Sequence, residues 1–254
     1  MIGTAYKDAF DILNRNWLKI IGMILLIYLI KLLIGTLPIQ GSISIRFDPA
    51  SVATSESLKT LAVRAFINSI LFFIMIHYIT LTNQTMRGRL LTAITYPFKN
   101  PRLLYKGVIV LFLTNFILYF FWMLLLYTAF GGLIISATGI NIRSSIAILV
   151  IILVYVLFFW LYLGISQALY LLHDDPKLNT FRSIRRSFSL MKGYRWPLSG
   201  LLVLSGLGLI IGILLFMIGA IFALVLYELV RLAFYQELLR KKRQQEWRDK
   251  VARE

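Results

Sequence analysis

The chain contains no cysteine at all, which excludes disulfides, thiolate metal sites and cysteine nucleophiles in one step. Histidine is almost as scarce. His77 and His173 are too few for a His-based metal cluster. Acidic residues number 11 against 27 Lys+Arg, and only 15% of positions are charged. That leaves too little polar surface for a water-soluble domain of 254 residues, because soluble chains carry about 25% charge. Catalytic signatures are missing as well: the chain has no HExxH, GxSxG or P-loop pattern. Asp174-Asp175 beside His173 reads as a helix start signal rather than a metal site, so no cofactor and no enzymatic activity is expected.

What is present is hydrophobicity. Apolar residues make up 59% of the chain, and the mean hydropathy is +0.79. Disorder, a secreted disulfide scaffold and an ordinary soluble enzyme are thereby excluded. A helix needs about 20 apolar residues to cross a hydrocarbon core of roughly 30 Å. Segments 17–37, 61–81, 107–130 and 146–172 each meet that length. The stretch 198–235 has 38 residues, and as one helix it would measure ~57 Å, nearly twice the membrane. A split around 217–219 divides it into spans 198–216 and 219–236. The sixteen mostly polar residues ahead of the first span, Asp8 and Asp11 among them, do not resemble a cleavable signal.

Charge tests that division. With both termini cytoplasmic, the inner segments hold 22 Lys+Arg and the outer loops 3, namely Arg46, Lys59 and Arg143. Lys31 and Arg64 fall near the outer ends of spans, where long side chains snorkel to the interface. The asymmetry follows the positive-inside rule. The +16 charge is thus an orientation and membrane-surface signal, and no nucleic-acid module accompanies it.

The inner segments carry helical apolar periodicity. In 178–192 the apolar residues Leu178, Phe181, Ile184, Phe188 and Met191 alternate with Arg182, Arg185, Arg186 and Lys192, and Gly193 supplies a stop. Met86, Leu90, Ala93, Ile94 and Phe98 repeat the design beside Arg87, Arg89 and Lys99, and residues 2–13 do so again. Asn14-Arg15-Asn16-Trp17 and Gly193-Tyr194-Arg195-Trp196 occupy equivalent places before their spans. The expected fold is all-α: six transmembrane helices as three hairpins, each preceded by a basic amphipathic helix in the headgroup plane. Residues 1–237 form the membrane domain, and 238–254 a charged cytoplasmic helical tail. Along it Glu237–Lys241, Glu246–Lys250 and Asp249–Arg253 are spaced as i,i+4 pairs.

Few polar groups lie at depth. Glu228 is mid-way along the sixth span, with Arg231 one turn on as its intrahelical partner; a centre-of-bilayer charge costs on the order of 3 kcal/mol. His77, Asn115 and Gln167 complete the set of intramembrane candidates, and a hydrogen-bonding role between helices is expected for each. Gly208 and Gly212, with Gly219, are expected to bring the fifth span close to a neighbour.

The order of elements resembles the bacterial integral membrane proteins known as domain of unknown function nine-seven-five. Asn16-Trp17, Phe98-Lys99, Asp175-Pro176, Ser187 with Met191-Lys192-Gly193, and Phe234-Tyr235 carry the resemblance. The chain departs from it in lacking a Pro-Gly between the third and fourth spans and a proline before Tyr227. The resemblance implies a bacterial cytoplasmic membrane and an all-helical fold, with no established reaction. The function expected is that of a non-enzymatic accessory protein in envelope homeostasis or support of a transport complex. It would act through anionic phospholipids, at Arg87, Arg89, Lys99, Arg182, Arg185, Arg186, Lys192 and Arg195, or through a membrane or cytoplasmic partner bound by the tail. The alternative is a small transporter in which His77, Asn115, Gln167, Glu228 and Arg231 line a path.

Overall fold

A computed structural model describes residues 1–36, 55–85, 90–138, 145–214 and 218–251, and every regular element among them is helical. Helix α1 runs Ile2–Thr36, but at Asn16 the backbone leaves the helical region (φ −150°, ψ 45°). Asparagine competes with the helix for backbone hydrogen bonds, so an Asn-Arg-Asn run is a natural place for this break. It divides the amino-terminal portion from the first apolar span. Helix α2 (Ser55–Thr85) is the second span, and α3 (Leu90–Lys99) is a short helix with Ala93 and Pro97 buried. Helix α4 (Pro101–Thr138) starts on a proline, which lacks the N–H that a first helical position cannot use. Asn100 joins the two: its amide donates to the Tyr96 carbonyl, and its own carbonyl accepts from the N–H of Leu103.

Helix α5 (Ser145–Ile165) opens the fourth span, which runs over Leu149–Asp174. A turn at Ser166-Gln167 interrupts it, and α6 (Ala168–Asp174) resumes beyond. Helix α7 (Thr180–Leu190) follows, and the turn after it contains Gly193 at φ +85°, a conformation that L side chains resist. Helices α8 (Arg195–Leu214) and α9 (Ile218–Val251) complete the chain, and α9 continues unbroken from the sixth span into the charged tail. The turn expected at Met217 lies outside the described residues.

Six helices are long and apolar enough to cross a membrane. Around the bundle α9 packs on α8 and α1, α1 on α2, α2 on α4 and α4 on α5, and α5 returns to α8 over a short seam. The buried core gathers Ile20, Ile24 and Ile27 of α1, Phe73 and Ile79 of α2, Leu201 of α8, and Leu229 and Phe234 of α9. Outward faces are equally apolar, with Leu29, Leu32, Leu153, Val156 and Ile210 all exposed. An apolar surface on that scale is soluble only in lipid. The chain is therefore a multi-pass, all-α membrane protein. Close approach is provided by glycine where α8 meets α9: a Cβ on Gly212 would stand 2.4 Å from the Gly219 carbonyl carbon. Gly208, expected to share that role, has open space around it.

Candidate functional site

The short helices α3, α6 and α7, the amino-terminal portion of α1 and the tail of α9 meet at one end of the bundle. Tertiary contacts tie them together. Lys106 Nζ donates to the Pro176 carbonyl (2.8 Å), Tyr235 OH donates to Asp174 Oδ2 (2.6 Å), and Arg240 pairs with Asp8 (3.1 Å). The tail thus docks on α1, and the carboxylate of Glu237 approaches Arg240 (3.9 Å) instead of the expected Lys241. Lys241 stands over the Tyr194 ring.

Helix α7 presents three different faces. Its bundle side is small and polar: Ser187 donates to the Gly164 carbonyl (2.6 Å) and Ser183 to the Ala168 carbonyl (2.8 Å), both buried. The Gly164 carbonyl lies in the last turn of α5, where the helical ladder ends and leaves it without an intrahelical donor, whereas the Ala168 carbonyl is at the start of α6. Leu190 and Met191 are buried beside them. The apolar residues read as one stripe from the sequence divide, because Phe181 is 87% exposed while Ile184 and Phe188 are half-covered. Arg182, Arg185, Arg186 and Lys192 are exposed around the rest of the helix. Arg186 also borders a cleft of about 400 Å³ with Asp174, Tyr235, Lys242, Arg243 and Glu246, between α7 and the tail. Trp196, Phe98 and Leu91 are likewise exposed next to basic residues at this end. Lys99 is exposed with them, whereas Arg87 and Arg89 lie outside the described residues. Arg195 is set apart from the other cations. Its guanidinium lies 3.3 Å from the Trp160 ring centroid.

The two histidines, unrelated in the sequence, come together at the junction of α2, α3 and α6. His77 stacks on Tyr96 (3.8 Å, 12° between planes) and meets the His173 ring edge-on at 5.7 Å. His173 Nδ1 is 3.5 Å from Asp174 Oδ1, and its Nε2 is buried with no partner among the described residues. Burial, and then the Asp174 carboxylate, push the Tyr96 hydroxyl above its ordinary range. Sequence reading missed this cluster because residues 96 apart carry no spacing signal. Among the described residues no group of three or more His, Asp or Glu is placed to hold a metal ion.

Deeper in the bundle Glu228 is 6% exposed and is held from two helices. Tyr28 OH of α1 donates to its Oε1 (2.7 Å), and Arg231 Nη1 lies 3.7 Å from Oε2. The intrahelical pair read from the sequence is present, and Tyr28 is the partner that the sequence concealed. Tyr227 and Tyr170 rings stand 5.3 and 5.8 Å from the Arg231 guanidinium. Tyr170 stacks on Tyr235, so aromatic groups connect this cluster to Asp174 at the polar end. Gln167 is fully buried in the turn between α5 and α6, its Oε1 without a partner among the described residues, and Asn115 is partly buried on α4. Glu228 and His77 have separate sets of partners.

The family model described as protein of unknown function DUF975 matches residues 7–242. The chain belongs to this family. No curated protein and no solved structure matches it. The residues that carried the resemblance hold the polar end of this family member together. Asn16 makes the break in α1, Pro176 accepts from Lys106, Ser187 binds α5, Gly193 turns the chain into α8, and Tyr235 holds Asp174.

Proposed function

We propose that this protein is a non-enzymatic accessory component of the bacterial cytoplasmic membrane, with both termini in the cytoplasm. It engages anionic phospholipid headgroups, or a membrane or cytoplasmic partner, through the end formed by α3, α7 and the tail. Its role is envelope homeostasis or support of a transport complex. The observation that carries this reading is the outer surface of α7. A helix pinned by two buried serine hydroxyls turns an 87%-exposed Phe181 and exposed Arg182, Arg185 and Arg186 away from the bundle. An aromatic ring beside guanidinium groups suits the headgroup–acyl boundary, where the ring is in hydrocarbon and the cations reach phosphate. Each basic residue near an anionic surface adds about 1 kcal/mol of attraction. Charge reversal of Arg182, Arg185 and Arg186 to Glu is expected to strip anionic lipid and partner from the protein purified out of native membranes. Unchanged co-purification would end this proposal.

A second reading, a small transporter, is favoured by Glu228, a buried carboxylate shared between α1 and α9. Ionisable groups near the midplane between helices mark ion pathways in transporters. Flux in proteoliposomes that is lost in Glu228→Gln would support it, and flux indifferent to that change would remove it.

A further inference from the structure

Arg195 has no ion pair among the described residues, and its Nε is buried without a hydrogen-bond partner. The guanidinium carbon is 3.3 Å from the Trp160 ring centroid of α5 and 5.4 Å from that of Phe188 of α7. Phe188 is itself fixed. It fills the space over Gly164, where a Cβ would stand 2.4 Å from its ring. The Ser187–Gly164 bond anchors the same turn. The fork of N–H donors is therefore held rigidly at the seam where α5 meets α8, with cation–π contacts on its faces and no carboxylate to satisfy it. Arg195 is also the first residue of α8; Pro197 has no N–H and that of Leu198 donates to the Tyr194 carbonyl, so the N–H groups of Arg195 and Trp196 are what the opening turn has left to offer. Guanidinium and helix amino end both favour an anionic oxygen at one place.

Below that position α5 offers an apolar track. Trp160, Val156, Leu153 and Leu149 recur at helical spacing and are 50%, 60%, 60% and 64% exposed. The track is ~16 Å long at 1.5 Å per residue, close to the depth of one leaflet in a hydrocarbon core of roughly 30 Å. We infer that Arg195, Trp160 and the amino end of α8 form a seat for a single anionic phospholipid, phosphate on the guanidinium and acyl chain along α5. The seat rests on the proposed headgroup reading and gives it a specific address, separate from the diffuse attraction of Arg182, Arg185 and Arg186. Net charge selects the occupant, since a zwitterionic lipid brings its own ammonium beside its phosphate and only a net-anionic headgroup leaves that phosphate to the guanidinium alone.

The test uses the full chain with Trp160 as its sole tryptophan, the other four changed to Phe. It is reconstituted in phosphatidylcholine vesicles containing either brominated phosphatidylglycerol or brominated phosphatidylcholine at equal mole fraction. Bromine quenches a tryptophan only on contact. The expected result is stronger quenching by phosphatidylglycerol, with a relative association constant about tenfold above that of phosphatidylcholine, the scale of one charge-assisted hydrogen bond. Arg195→Gln should abolish the preference and Arg195→Lys, which keeps charge without a planar fork, should reduce it. Equal quenching by the two lipids in the parent chain, or a preference that survives Arg195→Gln, overturns the seat. The parent-chain comparison stands even if a variant fails to fold. Reversal of Arg182, Arg185 and Arg186 should leave the Trp160 preference intact. Loss of co-purification with that variant while Arg195→Gln does nothing would sink the seat alone. The opposite pattern would sink the accessory reading and leave the seat standing.

Discussion

Neutralising Glu228 alone should destabilise the bundle more than neutralising it together with Arg231. The side chains of these residues are 6% and 19% exposed, so water offers little compensation to whichever charge remains. Glu228→Gln leaves a shielded guanidinium without its carboxylate, a situation that costs about 3–5 kcal/mol. Tyr227 and Tyr170 stand beside Arg231 and return about 1 kcal/mol through cation–π attraction, so the expected net loss is about 2–4 kcal/mol. In the double variant Glu228→Gln with Arg231→Gln no charge is left unpaired. Its expected cost is about 1–2 kcal/mol, mostly from weakening the 2.7 Å bond with Tyr28 and from lost packing. Reversible unfolding in mixed micelles, followed by circular dichroism, measures all three proteins. The coupling between the substitutions should therefore have the sign of mutual rescue. A Glu228→Gln protein within about 0.5 kcal/mol of the parent, or losses that simply add, would show that the pair is hydrated and the reasoning mistaken.

Other consequences follow from the same contacts. Ser187→Ala removes a 2.6 Å buried hydrogen bond and orphans the Gly164 carbonyl, so a loss of about 1–3 kcal/mol and faster amide exchange along α7 are expected. Gly212→Val puts a side chain into the Gly219–Ala220 backbone and should abolish a monodisperse folded species in size-exclusion chromatography. Gly208→Val, in open space, should elute like the parent. Arg240→Ala breaks an exposed ion pair and should change unfolding by under about 1 kcal/mol, the tail staying docked through the buried Leu238.

The sequence by itself determined the class, the number of apolar spans, and the presence of short helices around 90–99 and 180–190. Those properties depend on local composition and periodicity, which lipid solvation and helix geometry translate directly into structure. It also marked Gly193 as a stop and Glu228 with Arg231 as a pair, since both are matters of a few residues along one chain. Only the tertiary structure decided what each polar group meets. Tyr28 reaches Glu228 from 200 residues away, His77 finds His173, and Asp8 finds Arg240, because helix packing and not spacing brings them together. The break at Ser166-Gln167 escaped the hydropathy profile for a related reason. An apolar run looks continuous, yet Ser187 of α7 supplies a hydroxyl donor to the Gly164 carbonyl at the end of α5, and that exchange of partners exists only once the helices are packed. The scarcity of acidic residues takes on meaning in the same way. With 11 carboxylates for 27 basic groups, most cations have no acid of the chain to pair with, and the packed bundle decides which of them face outward and which, like Arg231, do not.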